Sequence, residues 1–210
     1  MTPRPYISHF LSTLNRLLKL RSRIGGRAYT PSEFTSVVRR QFDAATFSVK
    51  TQKDSAVDPD SVIVAGLYDP HDYSEMLPSI TLTLCYHPDQ SKYFVDLLNW
   101  DQFAFDVAEC IGHEMVHMDQ HLSGRHKTLK EYVASEATVD QDYLGDEGEI
   151  EAYGFSIAAE MKTFNKPMHE CVMYGVYQET FTNDPQIVLQ LETQVKQHYK
   201  KLEELYEQTN

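Results

Sequence analysis

Hydrophobic residues recur along the chain with two different spacings, and each spacing predicts a kind of secondary structure. A spacing of three to four residues, typical of amphipathic helices, runs through residues 10–20, 31–45, 100–122, 149–164 and 185–207. Alternation of apolar and polar residues, typical of a half-buried strand, marks residues 79–86. An apolar run over 61–67 predicts another strand, and residues 46–50 are a third candidate. Strands followed by helices predict an α+β fold in which residues 1–210 form one domain.

The helix predicted over residues 100–122 has an apolar face and a polar face of unusual composition. Five apolar residues share one stripe: Val107, Ile111, Met115, Met118 and Leu122. The opposite stripe carries Asp106, Cys110, His113, His117 and Gln120. Because apolar residues cover about half of the circumference, the helix is predicted to be buried. Its buried polar side chains then need partners.

A metal-binding pattern lies on that polar stripe. His113 and His117 are four residues apart, with Glu114 directly after the first, which spells H-E-x-x-H. Histidines one helical turn apart share a face, so both imidazoles can reach one metal ion. Glu114 lies roughly 100° around the helix, where it can hold a water and take its proton. An exposed charged helix can carry this pattern by chance, but the predicted burial favours a zinc site.

A catalytic zinc site needs a third protein ligand and an open fourth position. His121 continues the same face, but its Cα would lie about 12 Å from that of the first histidine. His126 follows a predicted helix end, so a reversing chain could return it to the site. Glu149 and Glu151 open the next amphipathic helix. Geometry alone leaves the choice between these two glutamates open.

The two predicted helices together resemble those of a known group of enzymes. H-E-x-x-H followed some tens of residues later by a glutamate on a helix is similar to the gluzincin arrangement of zinc metallopeptidases. The second helix, Glu149-x-x-Ala152-x-x-Phe155, resembles the E-x-x-A pattern of small predicted metallopeptidases of phages and prokaryotes. The resemblance covers roughly residues 100–165.

This resemblance implies a fold, a cofactor and a set of functional residues. The fold would be zincin-like, with a small, mostly antiparallel or mixed sheet, the H-E-x-x-H helix, a glutamate-bearing helix and a long C-terminal helix. The cofactor would be Zn²⁺, and the substrate a peptide or protein hydrolysed at its peptide bonds. The residues implied are the general base Glu114 and the ligands His113, His117 and Glu149.

Two further elements of a peptidase have candidates in the sequence. In zinc peptidases of the kind that the chain resembles, a strand at the edge of the sheet pairs with an extended substrate. The run Ile80–Leu84 is the candidate for that strand, although an ordinary core strand is the default interpretation. The oxyanion of the reaction needs a donor besides zinc. Tyr153, our catalytic candidate, and Tyr143 lie near the third ligand in sequence.

Three other interpretations stay open. A DNA-associated protease resembling the SprT-like group would use His126 as third ligand and would place the basic N-terminal segment on nucleic acid. A binding or inhibitory protein could retain the metal site without catalysis, although such a protein has no use for Glu114. Residues 140–151 partly match a calcium-binding EF-hand loop, but Leu144 stands where an oxygen ligand belongs.

Length and composition indicate a globular protein. The chain has 210 residues, of which 41% are hydrophobic, enough for one well-formed core. No apolar run approaches the ~20 residues of a membrane span, and the first residues lack the continuous apolar core of a signal peptide. Three cysteines without a paired metal-binding spacing favour a reducing compartment. We therefore expect a cytoplasmic protein without a membrane partner.

Charge is distributed unevenly along the chain. Residues 1–50 carry nine Lys and Arg against two acids, whereas the net charge of the whole chain is −12. The basic helical segment of about residues 1–45 could meet nucleic acid, but the overall charge disfavours that partner. We expect the segment to neutralise the protein's own acidic surface. The last helix is expected to dock on its own domain or to pair with a second copy, as a monomer or a homodimer.

Overall fold

A computed structural model describes residues 5–44, 46–70, 79–95, 98–125 and 140–209. Within these ranges, contacts divide the chain into a sheet unit, Ser8–Glu114, and a helical unit, Met1–Ile7 with Met115–Asn210. All described strands lie in the sheet unit. The predicted α+β fold with a small mixed sheet is confirmed. None of the helices in the described ranges has the length and apolarity needed to cross a membrane.

The chain begins with two helices, α1 (Pro5–Ile24) and α2 (Pro31–Arg39). A capping box starts α2: the Thr30 hydroxyl accepts from the Glu33 N–H, and the Glu33 carboxylate accepts from the Thr30 N–H. Two amide groups that a helix start leaves open are thereby satisfied. α2 ends earlier than predicted because the chain turns at residues 40–42 on its way to the next strand.

Three strands form the mixed sheet. They are β2 (Phe47–Lys53), β3 (Val62–Asp69) and β4 (Ser79–Tyr86). β4 lies in the centre, parallel to β2 and antiparallel to β3. A separate antiparallel pair of two-residue strands, β1 (Ala28–Tyr29) and β5 (Tyr93–Phe94), was not predicted.

The central position of β4 corrects one prediction. The run Ile80–Leu84, our candidate for a substrate-pairing edge, lies in the strand that is hydrogen-bonded on both sides. Its alternate side chains Ile80, Leu82 and Leu84 are buried, and its backbone groups are used within the sheet. The candidate role as a substrate-pairing edge was therefore wrong, and the default interpretation, an ordinary core strand, is confirmed. Among the described residues β3 pairs with β4 alone.

α3 runs from Trp100 to Leu122, with the bounds that its periodicity predicts. Trp100 is 1% exposed and donates its indole N–H to the Leu17 carbonyl oxygen at 2.9 Å. Val107 and Ile111 have no exposed surface, so the predicted burial is confirmed for this part of the helix, whereas Leu122 at its end is 67% exposed. The boundary between the two units falls within α3, directly after Glu114.

The helical unit continues with four helices in the described residues. They are α4 (Asp140–Leu144), α5 (Glu147–Phe164), α6 (Val172–Thr180) and α7 (Pro185–Thr209). The Asp146 side chain caps α5 by accepting from the Gly148 N–H at 2.8 Å. Because residues 140–144 are helical, they do not form the oxygen-lined loop of an EF-hand. The EF-hand interpretation was therefore wrong.

The long final helix packs along α5. Four residues of its predicted stripe are buried: Leu191, Val195, His198 and Leu202. His198 packs edge-to-face on Phe155, and its Nδ1 lies 3.2 Å from the Tyr6 hydroxyl. The final helix therefore docks within its own unit, and His198 is a packed histidine of that contact.

Gly154 allows α5 and α7 to approach closely. A β-carbon there would lie 2.5 Å from Cβ of Gln194, an atom that cannot rotate away. We expect Gly154→Ala to lower the free energy of unfolding by ~1–3 kcal/mol through overpacking, as measured by urea denaturation. Gly175→Ala is the control, since nothing lies within 4 Å of that site on α6. It should raise stability by about 0.5–1 kcal/mol, and a loss in both variants would contradict the packing argument.

Candidate metal centre

Two histidines and one glutamate come together in the structure. His113 and His117 lie one turn apart on α3, and Glu149 lies in the first turn of α5. One ligand atom of each residue lies within 4.8 Å of the other two. His113 and Glu149 are 8% and 3% exposed, and His117 is half-buried. These three sequence-predicted ligands form a group that could hold a metal ion.

The geometry and chemistry of the group fit a divalent metal ion. Nε2 of His117 lies 3.4 Å from Oε1 of Glu149. Ligand atoms about 2.0–2.1 Å from a tetrahedral zinc ion lie roughly 3.3 Å apart. Two imidazoles with one carboxylate are also a ligand set that catalytic zinc sites use. A cation would offset the charge of a carboxylate that is almost fully desolvated.

The start of α5 brings Glu149 to this position. Asp146 caps the helix, so Glu149 is its third residue. A carboxylate in the first turn of a helix interacts favourably with the helix dipole. The acidic stretch before α5 therefore has a structural role, which is to start the helix that carries a candidate ligand.

β3 holds the carboxylate of Glu114. Oε2 of Glu114 accepts a hydrogen bond from the backbone N–H of Tyr68 at 2.8 Å. Gly66 leaves room for the same side chain, because a β-carbon at Gly66 would lie 2.7 Å from Oε1 of Glu114. The backbone of one strand thus determines the orientation of the predicted general base.

Cys110 lies one helical turn before Glu114 and shares the space above Gly66. A β-carbon at Gly66 would lie 2.6 Å from its Sγ. Burial raises the pKa of the Cys110 thiol well above its usual value, and the charges of Glu109 and Glu114 raise it further. A thiol that stays protonated is a poor nucleophile. Cys110 is therefore a packing residue.

Two tyrosines lie close to the glutamate ligand. The Tyr143 hydroxyl hydrogen-bonds with Glu149 and with Tyr153. Burial raises the pKa of Tyr143, and the charge of Glu149 adds to the effect. The ring of Tyr153 packs edge-to-face on Tyr177, with centroids 5.9 Å apart. The role of Tyr153 as oxyanion donor stays a prediction, and Tyr143 is a tyrosine that contacts the candidate ligand Glu149.

The other candidate ligands have different surroundings. Oε2 of Glu151 accepts hydrogen bonds from Arg125 Nη1 at 2.8 Å and from Gln120 Nε2 at 3.1 Å. Within the described residues, the ligand group contains neither Glu151 nor His121. His126 lies outside the described residues.

Two features of the site were missed at the level of sequence. Gln120, with its amide oxygen 3.0 Å from Nδ1 of His117, was noted only as part of the polar stripe. Its position three residues after a ligand was the available signal, because side chains at that spacing meet on a helix. The contact between Tyr68 and Glu114 joins residues 46 positions apart and has no local signal.

No protein-family model, curated protein or solved structure matches the chain. The gluzincin resemblance therefore stays a prediction, carried by two helix motifs and by the ligand group that they form. What the structure establishes is the coarser point, a buried group of two histidines and a glutamate that could hold a metal ion.

Removal of any ligand should strongly weaken zinc binding. We expect a loss on the order of 100-fold or more, since even outer-shell partners cost 10–100-fold, for each of His113→Ala, His117→Ala and Glu149→Ala. Competition with a chromogenic chelator measures the affinity. His121→Ala and Glu160→Ala alter the same two helices outside the ligand group and should leave the affinity unchanged.

The identity of the third ligand is tested by a further variant. His126→Ala should bind zinc as the wild type does. The SprT-like alternative requires the reverse result, in which His126→Ala loses zinc and Glu149→Ala retains it. Wild-type zinc affinity in Glu149→Ala would exclude this residue as a ligand.

Gly66→Ala should destabilise the sheet unit because its methyl group meets both Glu114 and Cys110. We expect the free energy of unfolding to fall by ~1–3 kcal/mol, measured by urea denaturation. Adding Cys110→Ala removes only the sulfur contact, so the double variant should regain only part of the loss relative to Cys110→Ala alone. Complete recovery would show that Glu114 is not crowded by β3.

Proposed function

We propose that this chain is a zinc-dependent metallopeptidase that hydrolyses peptide bonds in a peptide or protein substrate. The observation that carries the proposal is the placement of Glu114. This residue directly follows the candidate ligand His113, and its carboxylate is held by a backbone N–H of β3. A structural metal site has no use for such a carboxylate, whereas metal-assisted hydrolysis needs a base beside the ligands. Three protein ligands are also the number typical of catalytic zinc sites.

Glu114 handles the proton in the proposed reaction. His113, His117 and Glu149 would hold the zinc ion, which would supply Lewis acidity for the attack of a water on a carbonyl near neutral pH. Because Oε2 of Glu114 is engaged by the Tyr68 N–H, Oε1 accepts the proton of the attacking water. The carboxyl group then gives this proton to the amine of the leaving peptide, and the C–N bond breaks.

The oxyanion that develops on the substrate carbonyl needs a hydrogen-bond donor. Tyr153 is the donor that we proposed from the sequence. Its neighbour Tyr143 has a raised pKa, caused first by burial and then by the charge of Glu149, and its hydroxyl stays protonated. Because a tyrosine has one O–H and that of Tyr143 is donated to Glu149, Tyr143 holds the candidate ligand, and Tyr153 remains the proposed oxyanion donor.

The outer edge of β3 is suited to an extended peptide. The Tyr68 N–H points away from β4 and towards Glu114. Backbone directions alternate along a strand, so the N–H and C=O groups of Gly66 and Val64 face the same outer edge. A substrate strand added there would gain main-chain hydrogen bonds independent of its sequence. It would also lie along the strand that holds Glu114.

Glu114→Gln tests the proposal directly. The amide keeps the size of the side chain and an oxygen that can accept from Tyr68, but it cannot act as a base. We expect hydrolysis of a mixed peptide library to fall by roughly 10²–10⁴-fold, followed by mass spectrometry. Bound zinc, measured by elemental analysis, should not change.

The matched control is Glu109→Gln, a glutamate of the same helix outside the ligand group. It should cleave the library at the wild-type rate. If zinc-loaded wild type cleaves nothing, or if Glu114→Gln cleaves as fast as wild type, the enzyme proposal fails. A binding or inhibitory protein with a retained metal site would then be the better account.

A further inference from the structure

Gln120 is a buried glutamine, 2% exposed, at the junction of α3 and α5. Its Nε2 donates to the carbonyl oxygen of Gly148 at 3.0 Å and to Oε2 of Glu151 at 3.1 Å. Its Oε1 lies 3.0 Å from Nδ1 of His117. A glutamine amide offers two N–H donors and one carbonyl acceptor. Each of these groups of Gln120 therefore has a partner.

The partners determine which nitrogen of His117 carries a proton. The Gly148 carbonyl and the Glu151 carboxylate accept hydrogen bonds, so they must face Nε2 of Gln120 and not its oxygen. The amide oxygen therefore faces His117, whose Nδ1 must be protonated to donate to it. The lone pair is left on Nε2 of His117, the nitrogen that lies 3.4 Å from Glu149.

The same amide acts on a second ligand through the backbone. Gly148 directly precedes Glu149 in the first turn of α5. By binding the Gly148 carbonyl, Gln120 connects the ring of His117 to the main chain directly before Glu149. Glu151 is in turn held by Arg125, which also binds Asp119 at 2.7 Å. Gln120 is thus embedded in a network that limits its own movement.

We propose that Gln120 is the positioning residue of the metal centre, which selects the tautomer and orientation of His117 and holds the start of α5 that presents Glu149. This inference rests on the proposed metal centre and concerns how the centre is built, not its reaction. It assigns Gln120 a role that needs an acceptor and donors at one position, which a side-chain amide supplies.

The test compares zinc affinity and the visible absorption spectrum of the Co²⁺-loaded protein across variants. Gln120→Leu removes all three hydrogen bonds at similar volume. We expect a 10–100-fold loss of zinc affinity and a changed cobalt spectrum. Gln102→Leu is the matched control on α3: the side-chain amide of that glutamine donates to Asp106 at 2.6 Å, outside the ligand group, and its loss should leave both measurements unchanged.

Exchanging the amide of Gln120 with the carboxylate of Glu151 tests whether lost zinc affinity can be restored. Gln120→Glu keeps an acceptor for His117 but turns a carboxylate towards Gly148 and Glu151, so zinc affinity should fall. Adding Glu151→Gln restores an amide donor between positions 120 and 151. The double variant should recover part of the affinity lost in Gln120→Glu and shift the cobalt spectrum towards that of the wild type. Recovery is partial because the Gly148 carbonyl still faces a carboxylate at position 120.

The outcomes separate this inference from the proposed metal centre. If the wild type does not bind zinc, the metal centre fails and the role of Gln120 fails with it. If the wild type binds zinc and Gln120→Leu matches it in affinity and spectrum, only the role of Gln120 is overturned, whatever happens to stability. If Gln120→Leu does not fold, the comparison of Gln120→Glu with the double variant Gln120→Glu/Glu151→Gln tests the inference. Absence of any recovery of zinc affinity in the double variant then overturns it.

Discussion

Glu149 brings a carboxylate to a position that is only 3% exposed, and the surrounding helices are arranged to accommodate it. Removing an ionised carboxylate from water costs several kcal/mol unless it is paired and hydrogen-bonded. Nε2 of His117 lies 3.4 Å from Oε1 of Glu149, and the hydroxyl of Tyr143, a residue of α4, hydrogen-bonds with the same carboxylate. A divalent cation is the partner that best complements this donor set. The polar stripe of α3 and the capped start of α5 both serve to bring these donors together.

Glu114 has a different environment from that of the ligands. The backbone of β3 orients it through the Tyr68 N–H, and Gly66 provides the room for its side chain. In our proposal, side chains of two helices bind the metal ion, whereas a carboxylate held by a strand transfers the proton. In our proposal the outer edge of the same strand would pair with an extended peptide. In the proposed enzyme, the general base and the substrate would therefore both be held by β3, which favours a reproducible geometry between them.

Elements whose hydrophobic pattern extends over many residues were predicted well, and elements too short to show such a pattern were not. α3 and β4 have the bounds that their patterns indicate, because 23 and eight residues of consistent spacing leave little ambiguity. The two-residue strands β1 and β5 carry no period and were missed. The edge assignment of Ile80–Leu84 was wrong for another reason. Alternation shows that one face of a strand is buried, but it contains no information on how many strands pair with it.

The sequence by itself determined His113 and His117 as a pair of candidate ligands with Glu114 beside them, because the helical period places such residues within one turn of each other. It also narrowed the third ligand to a few residues. Glu149 and Glu151 flank the packing stripe of α5 on opposite sides, so the choice depends on how α5 docks against α3. The tertiary structure brought Glu149 to the histidines and placed Glu151 with Gln120 and Arg125. It likewise joined Glu114 to β3, because contacts between residues distant in sequence are determined by packing and not by local periodicity.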